Sequence, residues 1–494
     1  MNPRRRLVLI RRYMIAVLVV LTFPAVPATA TSTLGLHVAP CTQGHSKVPA
    51  QCGTFGVYED RSARSGRIIS LNVVVLKARH ASDKAIAMIA GGPGQSAAFF
   101  APIIADGLYV KALSVLRDRY DILFVDNRGM GASHPFACDF VPPGNPQAYF
   151  RQLFPDKIVS ACRARSLSRS DLNFYNTNNA TDDLDEVRAA LGYPKFVLHG
   201  GSYGTYFSLI YIRRHPNNVS SAILDGVTAP HFVPLPGSPD GAQTALNDLI
   251  IKCRRDKACN AHFPKFSEHF DALMRRFDRG AIPVPLKNAE NKHIETLMLS
   301  KEVFVDRFRN TLYDPQNAAS VPYVIERAYH FDYIPLGELV NGMSVALGNA
   351  LDWGAFLSYT CAEEIPFVSN NQIKNAAARS FAGDMRFRAQ QHACAIWNVR
   401  PMPPGFNAPV RSGLPILMLT GSDDPTTPPR AAAEALPYLP NARQVIVRGA
   451  GHTTETRCTD ALIVQFVRAG SAKGLNVSSC SAAFMVPPFA TSDK

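Results

Sequence analysis

Gly200-Gly201-Ser202-Tyr203-Gly204 carries the residue types that most directly specify chemistry in this chain. A serine set among glycines, on a sharp turn from a strand into a helix, presents its hydroxyl on a strained backbone while neighbouring chain passes too close for side chains. That is the arrangement of a nucleophile for acyl transfer. A glycine-rich turn with a capping serine shares the letters. Here, however, the strand-like run KFVLHG precedes the motif and a helix-forming stretch follows it, so Ser202 is read as the nucleophile.

A serine hydroxyl is a poor nucleophile at neutral pH, so an imidazole must take its proton and an acid must orient that imidazole. In a strand-turn-helix site these partners follow in the order Ser, Asp, His. His452, in Gly449-Ala450-Gly451-His452 just beyond the last strand-like run, is the expected general base. Three acids are open. Asp424, in Gly421-Ser422-Asp423-Asp424-Pro425, follows the penultimate strand and leads; its neighbour Asp423 and the strand-end Asp225 of Leu224-Asp225-Gly226 are the alternatives. The oxyanion of a tetrahedral intermediate needs backbone N–H donors, one after the nucleophile and one from an early loop. Tyr203 supplies the first. In Ala90-Gly91-Gly92-Pro93-Gly94-Gln95-Ser96, Pro93 has no N–H and Gly92 is the expected second donor. A phosphate-cradling loop would require a following Lys-Ser or a G-x-G-x-x-G spacing, and neither is present.

These groups must be held by a scaffold. Apolar runs at Leu71 to Leu76, Ala85 to Ala90, Asp121 to Asp126, Lys195 to Gly200 and Ser221 to Gly226 alternate with helical patterns, which predicts a buried, mostly parallel sheet and an α/β class. TDDLDEVRAALG reads as a helix capped by Thr181 and ended by Gly192. From about Pro230 to Ala408 strand character gives way to amphipathic windows such as FSEHFDALMRRFDRG and KEVFVDRFRNTLY, with a Pro-rich break at Val233 to Pro239. Strands return at Pro415 to Gly421 and Arg443 to Gly449, and residues from Met485 onward read as a tail. The expected organisation is a first core part at 31–230, a mainly helical cap at 231–408 and a second core part at 409–494.

With 494 residues and 47% hydrophobic content the chain can bury a large core. Its formal charge of +13 includes five arginines and no acid in the first thirty residues, leaving +13 − 5 = +8 beyond them. That basic stretch, the apolar run Met14 to Phe23 and the small-residue pattern Ala28-Thr29-Ala30 predict a signal peptide over 1–30 cleaved after Ala30. The run is too short for a membrane anchor, which needs about 18 to 20 apolar residues. Export to a periplasmic or extracellular compartment follows, through either general or twin-arginine secretion. Ten cysteines, all beyond Ala30, then favour disulfides. Neighbour pairing would join Cys41 with Cys52, Cys138 with Cys162, Cys253 with Cys259, Cys361 with Cys394, and Cys458 with Cys480. No C-x-x-C spacing or histidine cluster points to a metal, and the scattered basic residues, such as KCRRDK, read as solvated surface rather than a nucleic-acid interface.

GGPG after a strand, VDNRGMGAS, DLDEVRAALG before GGSYGT, SAILDGV, and LTGSDDPTTPP followed by GAGH together resemble the α/β-hydrolase family of proline iminopeptidases and tripeptidyl aminopeptidases. RCTDALIVQFVRAG through Cys480 is similar to the C-terminal region of the tripeptidyl type. The resemblance implies an α/β-hydrolase fold and a cofactor-free serine peptidase that releases one or a few residues from a peptide's free N-terminus. Such an enzyme needs an anion for the substrate ammonium, and Glu363 and Glu364 in Cys361-Ala362-Glu363-Glu364 are the candidates. Ala90 stands where many relatives carry histidine, so this loop needs other support. Asp126-Asn127-Arg128-Gly129 reads as loop architecture. The same triad would also serve a carboxylesterase; a non-catalytic binding protein is a more remote alternative.

Overall fold

The structure is a computed structural model that describes residues 33–142, 144–232, 238–287, 293–481 and 487–492. The expected signal peptide lies outside these residues, as do most of the Pro-rich break and the start of the expected tail. Short runs of β-branched and aliphatic residues, buried on both faces, form the middle of one nine-stranded sheet. Its strands are β1 (Gly35–Gln43), β2 (Val48–Tyr58), β3 (Ile68–Leu76), β4 (Ala85–Ile89), β5 (Asp121–Val125), β6 (Phe196–Gly201), β7 (Val219–Asp225), β10 (Ile416–Gly421) and β11 (Ala442–Val447). The order is β1-β2-β3-β5-β4-β6-β7-β10-β11. From β5 onward every pairing is parallel, and β1, β2 and β3 add an antiparallel edge. The chain therefore has the α/β-hydrolase fold, with the carboxyl ends of β6, β7, β10 and β11 side by side.

The edge strand β1 and its neighbour β2 carry no apolar run to announce them; β1 is GLHVAPCTQ, with only partly buried or exposed residues. Their pairing is reinforced by the Cys41–Cys52 disulfide. The other four bridges are Cys138–Cys162, Cys253–Cys259, Cys361–Cys394 and Cys458–Cys480, so each cysteine pairs with its sequence neighbour. Bridges of this kind stabilise by roughly 2 to 4 kcal/mol each.

Between β7 and β10 the chain is mostly helical, including Phe266–Phe277, Lys301–Thr311 and Trp353–Glu363. The sequence patterns missed a hairpin here, β8 (Ile282–Lys287) with β9 (Ile294–Leu299). In IPVPLK the residues Ile282, Val284 and Leu286 face inward while the two prolines lie between them, which a two-stranded edge tolerates. The helix before β6 also starts earlier than expected, at Thr177, because the Asn176 side chain accepts the Asn179 N–H and caps it. Thr181 lies inside that helix and donates to the Asn178 carbonyl. The C-terminal segment is not a free tail: Ala490 N–H donates to the Ala319 carbonyl and Phe489 packs on the core.

Beneath the carboxyl end of the sheet, Arg128 is fully buried and donates to both Asp183 oxygens at 2.7 and 2.8 Å and to the Glu59 carbonyl at 2.9 Å. Asp126 accepts the Ser96 hydroxyl at 2.7 Å and the Ala98 N–H at 2.9 Å, tying the β5 end to the glycine loop after β4. Removing one partner of so buried a pair as Arg128 and Asp183 costs about 3 to 5 kcal/mol, because the other charge is stranded. No helix of the described residues is long and apolar enough to cross a membrane.

Candidate active site

Ser202 stands at the end of β6 with φ 54° and ψ −122°, a left-handed-side conformation that an L-residue adopts only when its surroundings impose it. Its N–H donates to the Asp225 carbonyl at 2.9 Å, which anchors the turn to the neighbouring strand. The flanking glycines are there for clearance: a Cβ at Gly200 would lie 2.2 Å from the Gly204 carbonyl oxygen, and one at Gly204 would lie 2.4 Å from that of Ile89. Gly201 faces open space.

The loops after β10 and β11 bring two further side chains to this turn. Ser202 Oγ lies 2.8 Å from His452 Nε2, and His452 Nδ1 lies 3.0 and 3.1 Å from the Asp424 oxygens. With Nδ1–H donating to the carboxylate, Nε2 is left as acceptor for the serine hydroxyl. The buried Asp424 carboxylate also takes the N–H groups of Thr426 (2.7 Å) and Thr427 (2.8 Å) and the Thr427 hydroxyl (2.6 Å). Burial alone would raise its pKa, yet His452 and these hydrogen bonds hold it below the usual carboxylate value. For His452 burial acts downward, but the Asp424 charge and hydrogen bond carry the imidazole above its ordinary value. The ring is steadied by Tyr313, whose carbonyl accepts the His452 N–H at 2.8 Å and whose own ring lies 4.7 Å away.

The three acid candidates part ways in space. Asp424 meets the imidazole. Asp423 forms an ion pair with Lys252 and accepts from Ser422. Asp225 turns its carboxylate to Thr454.

The loop after β4 passes beside the serine, close enough that a Cβ at Gly91 would lie 3.3 Å from the Ser202 Cβ. Among the described residues no protein acceptor takes the N–H of Gly92 or of Tyr203. Gln95 Oε1 accepts the Gly91 N–H at 3.1 Å, and the Gly94 carbonyl accepts the Asp352 N–H at 2.9 Å. Those contacts support the loop where Ala90 has no polar side chain.

Glu363 lies under the nucleophile helix Tyr203–Arg214. It accepts both the N–H (2.5 Å) and the hydroxyl (2.6 Å) of Thr177, and the Thr177 hydroxyl also meets the Tyr203 hydroxyl at 2.7 Å. Burial pushes this carboxyl up to about 8. Glu364 is half-buried, its side chain makes no hydrogen bond or ion pair among the described residues, and its carboxyl is pushed up to about 7 by burial against the opposing pull of Arg386.

Thr427, Tyr313 and Gln95 escaped the sequence reading. The two threonines after Asp424-Pro425 are a legible local signal, since an aspartate accepts readily from N–H groups two and three residues on. Tyr313 had no local signal, because it reaches His452 across well over a hundred residues.

Residues 84–247 match the family model described as alpha/beta hydrolase fold, and residues 379–480 match the one described as TAP-like protein. The chain is 23% identical over 480 residues to the serine protease Hip1 of Mycobacterium tuberculosis, covering 87% of this chain and 88% of that protein. It is 28% identical over 222 residues to the tripeptidyl aminopeptidase of Streptomyces lividans, covering 42% of this chain and 41% of the relative. With the proline iminopeptidase of Neisseria gonorrhoeae it shares 28% identity over 142 residues, or 28% of this chain and 30% of the relative.

Proposed function

We propose that this chain, which belongs to the α/β-hydrolase family of proline iminopeptidases and tripeptidyl aminopeptidases and is a serine hydrolase, releases one or a few residues from the free N-terminus of peptides. The observation that carries the reading is the unbroken hydrogen-bonded chain from Ser202 Oγ through His452 to Asp424. In this mechanism His452 takes the serine proton as Oγ attacks the scissile carbonyl. The oxyanion rests on the N–H groups of Gly92 and Tyr203, donors of the kind worth about 3 to 4 kcal/mol of barrier. The imidazolium then protonates the leaving amine, and water, activated by the same imidazole, hydrolyses the acyl-enzyme. None of these steps calls for a cofactor.

Residues 231–408 act as a cap that selects the substrate. Within it Glu364, unpaired and half-buried, is the proposed anchor for the substrate ammonium. Glu363, with both oxygens occupied by Thr177, braces Tyr203 from below. An ammonium opposite Glu364 would favour the ionised carboxylate and offset its desolvation. Export through a signal peptide cleaved after Ala30 is part of the proposal; the five disulfides are consistent with it.

The test compares N-terminally free aminoacyl and tripeptidyl anilides with their N-blocked counterparts and with p-nitrophenyl esters. Turnover of the free anilides well above the blocked ones is expected. Hydrolysis of esters alone would replace the peptidase reading with a carboxylesterase.

A further inference from the structure

We propose that Asp225 is a positioning residue for the Ser202–His452 pair, clamping the histidine loop onto the nucleophile turn. The inference rests on the triad reading above. Asp225 ends β7, and its two ends hold two different loops. Its carbonyl accepts the Ser202 N–H at 2.9 Å. Its buried carboxylate accepts the N–H of Thr454 at 3.2 Å and the Thr454 hydroxyl at 2.9 Å, two residues beyond His452. The next residue is equally tight: a Cβ at Gly226 would lie 2.6 Å from the His452 carbonyl oxygen. One strand end therefore sets the distance between the backbone that carries the nucleophile and the backbone that carries its base.

Such a clamp has a purpose here. His452 follows the run Gly449-Ala450-Gly451, which carries no side chain able to hold it, and proton transfer tolerates little error in the Oγ to Nε2 separation. The far side of the loop is pinned separately, by the Thr459 hydroxyl donating to the Thr454 carbonyl at 2.6 Å and by His452 N–H on the Tyr313 carbonyl. Two hydrogen bonds from one residue to one carboxyl group fix Thr454 more firmly than a single one would.

The clamp is also electrically coupled to the base. Asp225 is faced by His452, by Glu455 at the solvent edge and by Tyr109; His452 itself faces Asp424 and Arg309 as well. Burial, with the Glu455 charge added, pushes Asp225 up to about 8, and Asp225 and His452 each favour the other's ionised form. Asp225 thus supports His452 without touching the ring, a role distinct from that of Asp424.

Asp225→Asn and Thr454→Val in the full chain test this, with kcat expressed per active site titrated by an organophosphonate. Each variant should lose about tenfold in kcat with KM within about twofold of the parent, the signature of a misplaced catalytic pair. Unchanged kcat per titrated site in both variants, or a rise in KM in place of the loss in kcat, would overturn the clamp. If Ser202→Ala retained full turnover, the triad reading beneath it would fall instead.

Discussion

The triad at the carboxyl end of the sheet and the Glu363-Glu364 pair of the helical segment treat their ionisable groups in opposite ways. At the sheet, Ser202, His452 and Asp424 arrive from three separate loops and meet at 2.8 to 3.1 Å, and Asp424 also accepts the Thr426 and Thr427 N–H groups and the Thr427 hydroxyl. In the helical segment, Glu363 is buried against neutral donors and Glu364 has no bonded partner, and burial pushes both carboxyls upward. In the proposed function, the difference separates a preorganised reaction centre, whose charges are compensated before substrate arrives, from a recognition site whose charge a substrate ammonium would complete. The first predicts effects on kcat, the second effects on KM.

The sharpest way to break this division is Ser202→Ala, which should lower kcat by about 10⁶-fold while leaving substrate affinity nearly intact. Steady-state rates with a free-amine anilide read it, and a small effect would remove the sheet end from the chemistry. Next, Asp424→Asn should cost about 10⁴-fold in kcat, because the amide favours the wrong imidazole tautomer. Asp225→Asn should cost only about tenfold, and the reverse ranking would exchange their roles.

On the recognition side, Glu364→Gln should raise KM for N-terminally free anilides by roughly 10- to 100-fold, the loss of one charge-assisted contact. Ester KM should be unchanged; a parallel rise for esters would show that Glu364 shapes the pocket rather than meeting an ammonium. The smallest effect concerns pH. Because the active form needs neutral His452 and Asp424 raises its pKa, kcat/KM should climb with pH to a midpoint above the ordinary histidine value of about 6.5. Titration at or below that value would mean that Asp424 does not support the imidazole as described.

Much of the sheet end was legible in one dimension because its constraints are local. The strained turn requires Gly200 and Gly204 within two residues of Ser202, and apolar runs buried on both faces advertise β4, β5, β6, β7 and β10. The hairpin β8–β9 hid behind two prolines, and β1 hid because a half-exposed edge strand needs no apolar run. The choice among three aspartates could be ranked by chain order alone, but their separation onto His452, Lys252 and Thr454 depends on loops brought together by the sheet.

The sequence by itself therefore determined the nucleophile motif, the α/β class and the order of the candidate triad, since each is written in contiguous residues or short spacings; it left the cysteine pairing open. Only the tertiary structure decided what surrounds those residues. Tyr313 holding His452, Thr177 occupying Glu363 and Asp225 joining two loops are contacts between distant segments. Hydrogen bonds of this kind have no spacing along the chain to betray them; they exist because a buried polar group must find a partner wherever the fold happens to bring one.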